Sequence, residues 1–322
     1  MAIADKLALL ANTKEALRIA LNMPVSAPFS SYVDSPLIPF TPRKLFQNNE
    51  QGVWYDPSDI STLFQDAAMT IPVTASGDPV GAVMDLSGNG NHATQTVSAS
   101  RPTYSSLPDR LALDKVDDKI VVVIPTGGWI GTMVLATDQG TASYGVIIPA
   151  GFHELGTARG GKDFPGTAIV GAVLRDGALT ASEKADTESY FVGNGATASY
   201  GAVSDFSQFW RDYTYITEFS LIDFSSGVTF FEAWRYNLSL SIFPANAFDN
   251  IKGGDFTQAF RQTSLNEASI DGILVSLVTS GISTGTRIFW QSEGSAPSVG
   301  TGQPAIDTLR SRGWDITVTG GY

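Results

Sequence analysis

The spacing of apolar residues changes twice along this 322-residue chain. Ile3, Leu7, Leu10, Leu17 and Leu21 recur at helical spacing and predict a helix over residues 1–22, with Ala-rich and charged positions on its other faces. Read as heptads, the seam is broken by Lys14, and the stretch is too short for a coiled coil. A helix of about twenty residues is marginal alone in water, so it must dock on its own body, on a partner or on a sister subunit. Residues 23–50 carry Pro24, Pro28, Pro36, Pro39 and Pro42 with no steady period. Proline removes a backbone donor and biases its predecessor to extended geometry, so this segment reads as an arm or linker.

From Val53 the pattern turns to short β runs. Val80–Met84, Lys119–Ile124, Thr132–Ala136, Tyr144–Ile148 and Ala168–Leu174 read as strands, separated by turn clusters such as Asp85–Asn91 and Pro125–Gly128. Many short strands with this punctuation predict a β-sandwich over residues 51–200. Thr180-Ala-Ser-Glu183 is a capping box opening a helix to about Phe191.

Residues 201–322 repeat themselves. Phe206-Ser-Gln-Phe-Trp-Arg211 returns as Phe230-Phe-Glu-Ala-Trp-Arg235 and as Phe256-Thr-Gln-Ala-Phe-Arg261, at spacings of 24 and 26 residues. A second phase follows each phrase: Phe219 and Phe224, Phe243 and Phe248, Ala268 and Ile273. Such periods mean stacked supersecondary units, none able to bury its apolar face alone. The expected unit is a short strand or turn plus a helical turn, a short leucine-rich-repeat-like α/β solenoid. Helical spacing over Ser269–Thr279, a helix from Pro304 to about Arg312 and a strand over Trp314–Val318 would close it as a cap. Phe206, Trp210, Phe230, Trp234, Phe256 and Phe260 are the expected repeat core. Recognition, if any, falls to residues between the phases: Tyr213, Tyr215, Arg235, Tyr236 and Arg261. The recurring Arg211, Arg235 and Arg261 would pair with Asp212 or Glu232, or with an anionic glycan.

Composition narrows the chemistry. Apolar residues make up 43% and charged residues 16%, which describes a folded chain, and 32 glycines with 16 prolines favour a turn-rich β body. A formal charge of −12 repels phosphate backbones and argues against nucleic-acid binding. The absence of cysteine removes disulfides, thiolate catalysis and cysteine zinc sites, and His92 and His153 alone leave little for acid–base work. No apolar run has the length of a membrane span, and the first residues lack the cleavage site of a signal peptide, so synthesis in a reducing cytoplasm is expected.

Each candidate constellation has a plainer reading beside it. Asp85, Ser87, Asn89 and Asn91 offer alternate oxygens like a calcium loop, yet no closing glutamate follows and an Asx-turn accounts for them. Asp114, Asp117 and Asp118 read as a solvated turn rather than a glycosidase pair. Asp56 and Asp59 fit turn or helix capping. No serine context recommends His153 as a catalytic base, and Gly160-Gly-Lys162 lacks the phosphate-loop spacing. No catalytic residue, cofactor or metal is assigned.

Three stretches together resemble structural proteins of bacteriophage tails. Residues 3–21 look like the N-terminal helix common in tail and fibre proteins. Leu45–Asp59, followed by Asp85–Gln95 and Arg101-Pro102, is similar to a segment that leads there into a concanavalin- or laminin-G-like sandwich. The repeats, ending in Leu309-Arg-Ser-Arg-Gly-Trp314, look like phenylalanine-rich repeats found behind that sandwich. The resemblance implies a virion tail component, in the tip, fibre or spike, made in the bacterial host. Its partners would be other tail proteins, further copies of itself and a bacterial surface glycan or protein. The rivals are a glycan-degrading tail enzyme, which needs a buried carboxylate pair, and a non-viral lectin-like adhesin, which needs an export signal.

Overall fold

The computed structural model describes residues 40–114, 116–156 and 168–322. The expected docking helix with Ile3, Leu7, Leu10, Leu17 and Leu21, the arm up to residue 39, and Gly160–Lys162 lie outside them. Short strands come first: β1 (Gly52–Tyr55), β2 (Leu63–Phe64), β3 (Ala82–Val83) and β4 (Ala93–Thr94). The strands that follow are β5 (Thr103–Ser106), β6 (Asp109–Ala112), β7 (Lys119–Ile124), β8 (Trp129–Thr137), β9 (Thr141–Ile148), β10 (Gly151–Gly156) and β11 (Ala168–Asp176). With β12 (Ile216–Phe219) they make two antiparallel sheets. One runs β12-β9-β8-β11-β6-β5, with β1 also on β11; the other runs β10-β7-β4-β3-β2. Residues of both sheets share one buried core, an arrangement consistent with a β-sandwich.

Burial explains the two kinds of strand pattern. β7 alternates, burying Ile120, Val122 and Ile124 while Val123 faces solvent, because only one face of its sheet is covered. β8 and β11 are buried almost continuously. Helix α1 (Ala181–Gly193) packs on β8 and β9 and reaches β11 at Gly171. It packs so closely that a Cβ at Gly171 would stand 2.1 Å from the Phe191 ring, which requires glycine there. The capping box that starts α1 is present in both halves: the Glu183 amide donates to Thr180 Oγ1 at 3.2 Å, and the Thr180 amide donates to Glu183 Oε2 at 2.7 Å.

The Asp85–Asn91 cluster is a clasp on β1. Buried Asp85 accepts four hydrogen bonds, from the amides of Trp54, Ser87 and Asn91 and from Ser87 Oγ, at 2.8–3.0 Å. Asn89 and Asn91 turn their side-chain amides onto the Gly52 carbonyl, and His92 Nδ1 accepts the Asp85 amide. The Asp85 and Ser87 oxygens are engaged within the turn.

After α1 the repeats stack in register on the first sheet. Alternate amides of one phrase donate to the next: Phe206 to Thr229, Gln208 to Phe231, Trp210 to Ala233 and Asp212 to Arg235. Phe230, Glu232, Trp234 and Tyr236 do the same onto residues 255–261. The intervening amides of the first two phrases bond three residues back within their own phrase, as Phe209 does to Phe206 and Arg235 to Glu232. Each of those phrases is therefore a run of overlapping turns. The geometry carries left-handed residues four apart in every phrase, at Gln208 and Asp212, Glu232 and Tyr236, Gln258 and Gln262, with φ between 54° and 66°.

The side chains between these rungs form ring columns. Phe206, Phe230 and Phe256 stack at 5.2 and 4.5 Å, and Trp210, Trp234 and Phe260 at 5.5 and 4.8 Å, all within 6° of parallel. Phe219 on Phe243 and Phe224 on Phe248 make two further columns. In the first two units this second phase is strand and turn. A helix enters only with the third, as α2 (Glu267–Ser280), where Ile270 and Ile273 are buried and Ala268 is exposed. Beyond it lie β14 (Arg287–Ser292), helix α3 (Gly302–Ser311) and β15 (Asp315–Thr317), following β13 (Gly254–Arg261); β13, β14 and β15 form a parallel sheet. Pro304 sits third in α3, still among the amides that lack an intrahelical acceptor.

No linker separates sandwich and repeats near residue 200. β12 pairs with β9, Trp210 Nε1 donates to Tyr144 Oη at 3.0 Å, and residues 42–322 form one compact unit.

Candidate functional site

An open groove of about 660 Å³ lies where the two sheet edges meet the first repeat. One wall is the end of β9 and edge strand β10: Ile147, Pro149, Phe152, His153, Glu154 and Gly156. The other is the turn from Arg211 to Tyr215, with Ser239 of the next unit. The walls are tied together, since the Ile147 amide donates to the Tyr215 carbonyl at 2.8 Å. Tyr213 and Tyr215 meet at 50° with ring centroids 5.5 Å apart, and His153 stands edge-on to Tyr215 at 6.3 Å. The Pro149 carbonyl, which can only accept, lies 2.7 Å from His153 Nε2, so that nitrogen carries the proton. Burial holds the Tyr215 phenol well above its ordinary pKa, leaving a neutral hydroxyl. Glu154 pairs with Lys119 at 2.9 Å, and Asp212 with Arg211 at 3.5 Å.

The five residues expected to recognise a ligand are thus divided. Tyr213 and Tyr215 line the groove. Arg235 and Tyr236 belong to a different cluster around Glu232, which is buried in the repeat face. Glu232 Oε2 accepts from Arg211 Nη1 and Gln208 Nε2, both at 2.7 Å, and Oε1 accepts from Arg235. Arg235 also lies 4.6 Å over the Tyr236 ring and donates to its hydroxyl at 2.9 Å. Arg261 has Gln258 where its predecessor has a glutamate; it bonds that amide at 3.3 Å and lies 5.8 Å from the Trp290 ring. The six aromatics Phe206, Trp210, Phe230, Trp234, Phe256 and Phe260 have no exposed surface at all. Sequence reading missed Phe152, Glu154 and Asp212 as groove residues. Phe152 is 79% exposed, and an alternating Gly-Phe-His-Glu strand was the signal available for it.

The acidic turn differs from expectation at one residue. Asp114, Asp117 and Asp118 bring carboxylate oxygens within 4.8 Å of one another, but Asp118 is buried rather than solvated. Its carboxylate accepts the Asp114 amide at 2.8 Å, while Asp114 Oδ1 accepts from Val116, Asp117 and Asp118. Burial, with the Asp114 and Asp117 charges beside it, lifts Asp118 from 3.8 to about 6. The folded state then holds this proton more tightly than the unfolded chain. The stability it contributes is complete below pH ~4 and is lost as pH rises to about 6. Asp118→Asn is expected to lose less thermal stability than the natural protein between pH 4 and 7, and parallel melting curves would contradict this.

No protein-family model, curated protein or solved structure matches the chain at a significant level. Among the described residues, no helix is long and apolar enough to cross a membrane.

Proposed function

We propose that this chain is a non-enzymatic structural protein of a bacteriophage tail, placed in the tip, fibre or spike. In this reading residues 1–22 dock it to other tail proteins, further copies assemble beside it, and the groove faces the bacterial surface. The fold reading that goes with it is a concanavalin-like sandwich followed by a short leucine-rich-repeat-like solenoid. The observation that carries it is the continuity of the ring columns with the sandwich through Trp210 and Tyr144. A body stiffened in this way transmits position and load, and the repeated residues supply scaffold rather than reacting groups. The groove favours the same side: Glu154 is exposed and paired with a lysine, unlike the buried acid that glycoside hydrolysis needs.

Antibodies raised against residues 40–322 should label the tail of purified particles whose genome encodes the chain. Particles that assemble and infect without carrying it would contradict the assignment. Incubation with host surface polysaccharide should release no reducing ends; release would favour the glycan-degrading enzyme instead.

A further inference from the structure

We infer that the groove between β10 and the Arg211–Tyr215 turn binds an uncharged pyranose sugar. This deepens the reading of the groove as the recognition face and does not depend on where the protein resides.

A pyranose ring presents an apolar C–H face and a rim of hydroxyls that both donate and accept. The groove offers the complement of each. Phe152 projects from an edge strand with 79% of its surface exposed, a position where a large aromatic gains nothing from the fold. Across from it, Tyr213 and Tyr215 form an angled pair whose faces and edges serve as stacking planes. The rim holds the carboxylates of Glu154 and Asp212 and the hydroxyls of Thr214 and Ser239, acceptors and donors set among the rings. Glu154 Oε1 is held by Lys119, which fixes the carboxylate without neutralising its capacity to accept from sugar hydroxyls.

Charge selects among sugars. Among the described residues lining the groove, one arginine faces two carboxylates, and Arg211 is already shared between Asp212 and Glu232. The chain as a whole carries −12. A uronate, sialate or phosphate would meet repulsion, with no spare cation among the described lining residues to offset it. Size and rigidity agree: the volume lies in the range of small-ligand sites, and the Ile147–Tyr215 and His153–Pro149 bonds fix both walls before a ligand arrives. Because β10 is a sheet edge, an extended peptide is the competing occupant, and the test separates the two.

The full chain is applied to an array of neutral and uronate-containing bacterial polysaccharides, alongside a library of extended peptides. Phe152→Ala, Glu154→Gln and Phe152→Tyr are run in parallel, with melting curves to verify folding; both sites are exposed, so the fold should survive. The expected result is binding to at least one neutral polysaccharide. Phe152→Ala should weaken it roughly tenfold, near 1.4 kcal/mol. Glu154→Gln should weaken it too, and Phe152→Tyr should retain it. The inference is overturned by silence across the neutral polysaccharides, by preference for uronates, by binding only to peptides, or by affinity indifferent to Phe152 and Glu154. A sugar-binding chain absent from particles would sink the virion reading and leave this one standing. A tail protein with a silent groove would do the reverse.

Discussion

Truncating Trp234 to alanine is expected to lower the unfolding free energy by about 3–5 kcal/mol, the largest effect of any single replacement considered. The ring has no exposed surface and lies between Trp210 at 5.5 Å and Phe260 at 4.8 Å. The edges of Phe219 and Phe243 close on it from the second phase at 5.5 and 5.0 Å. Removing it empties the centre of three stacked units at once, and neighbours fixed by backbone rungs have little freedom to collapse into the space. Trp234→Phe should cost clearly less, because the column persists and the indole Nε1 has no hydrogen-bond partner to lose. Tyr213→Ala, at the partly exposed groove, should fall well below both. Chemical denaturation of the three variants measures this order. A Trp234→Ala cost below about 1 kcal/mol would show that the columns are not a shared core.

Glu232→Ala is expected to cost about 2–3 kcal/mol, less than a fully buried pair because both arginines keep some exposure. The carboxylate holds Arg211 and Arg235 from adjacent units and receives Gln208 as well. Its loss leaves Arg211 to Asp212 and Arg235 to the Tyr236 hydroxyl. Glu232→Gln should cost less, since Gln208 and Gln258 already occupy the equivalent left-handed positions. A double-mutant cycle between Glu232→Gln and Arg235→Gln isolates the pair. Coupling above about 1 kcal/mol is expected, and coupling near zero would reduce the cluster to an ordinary surface contact.

Local signals in the sequence carried a good deal of this structure. Lys119–Ile124 is a short β-branched apolar run, and Thr180–Glu183 caps its helix through contacts three residues apart, so both are readable without tertiary knowledge. The phrase at Phe206, Phe230 and Phe256 is visible because stacking demands the same ring at the same rung. Where the rule relaxes, the repeat disappears from view. Gln291 takes the register of Phe260, fully buried, with its amide satisfied by Thr319. A fourth phrase at Ile288–Ser292 therefore went unread.

The site was harder to see for a different reason. Tyr213 and Tyr215 stood out as residues that break the repetition, but β10 reaches them only through its pairing with β7 and the turn after β9. No spacing in the chain encodes that meeting. Arg235 reads in sequence both as a recognition residue and as a partner of Glu232, and in space it and Tyr236 are gathered around that glutamate. Asp118 is the same lesson in a smaller form: a charge run reads as solvated, and its last member is drawn under the turn by the Asp114 amide.

A reconstruction of the purified particle at side-chain resolution bears most directly on the proposed role. The expected map places residues 40–322 in the tail, with the aromatic columns of residues 206–289 resolved and the groove turned away from the tail axis. A complete tail with no density for this sandwich and its stacked rings would contradict the account.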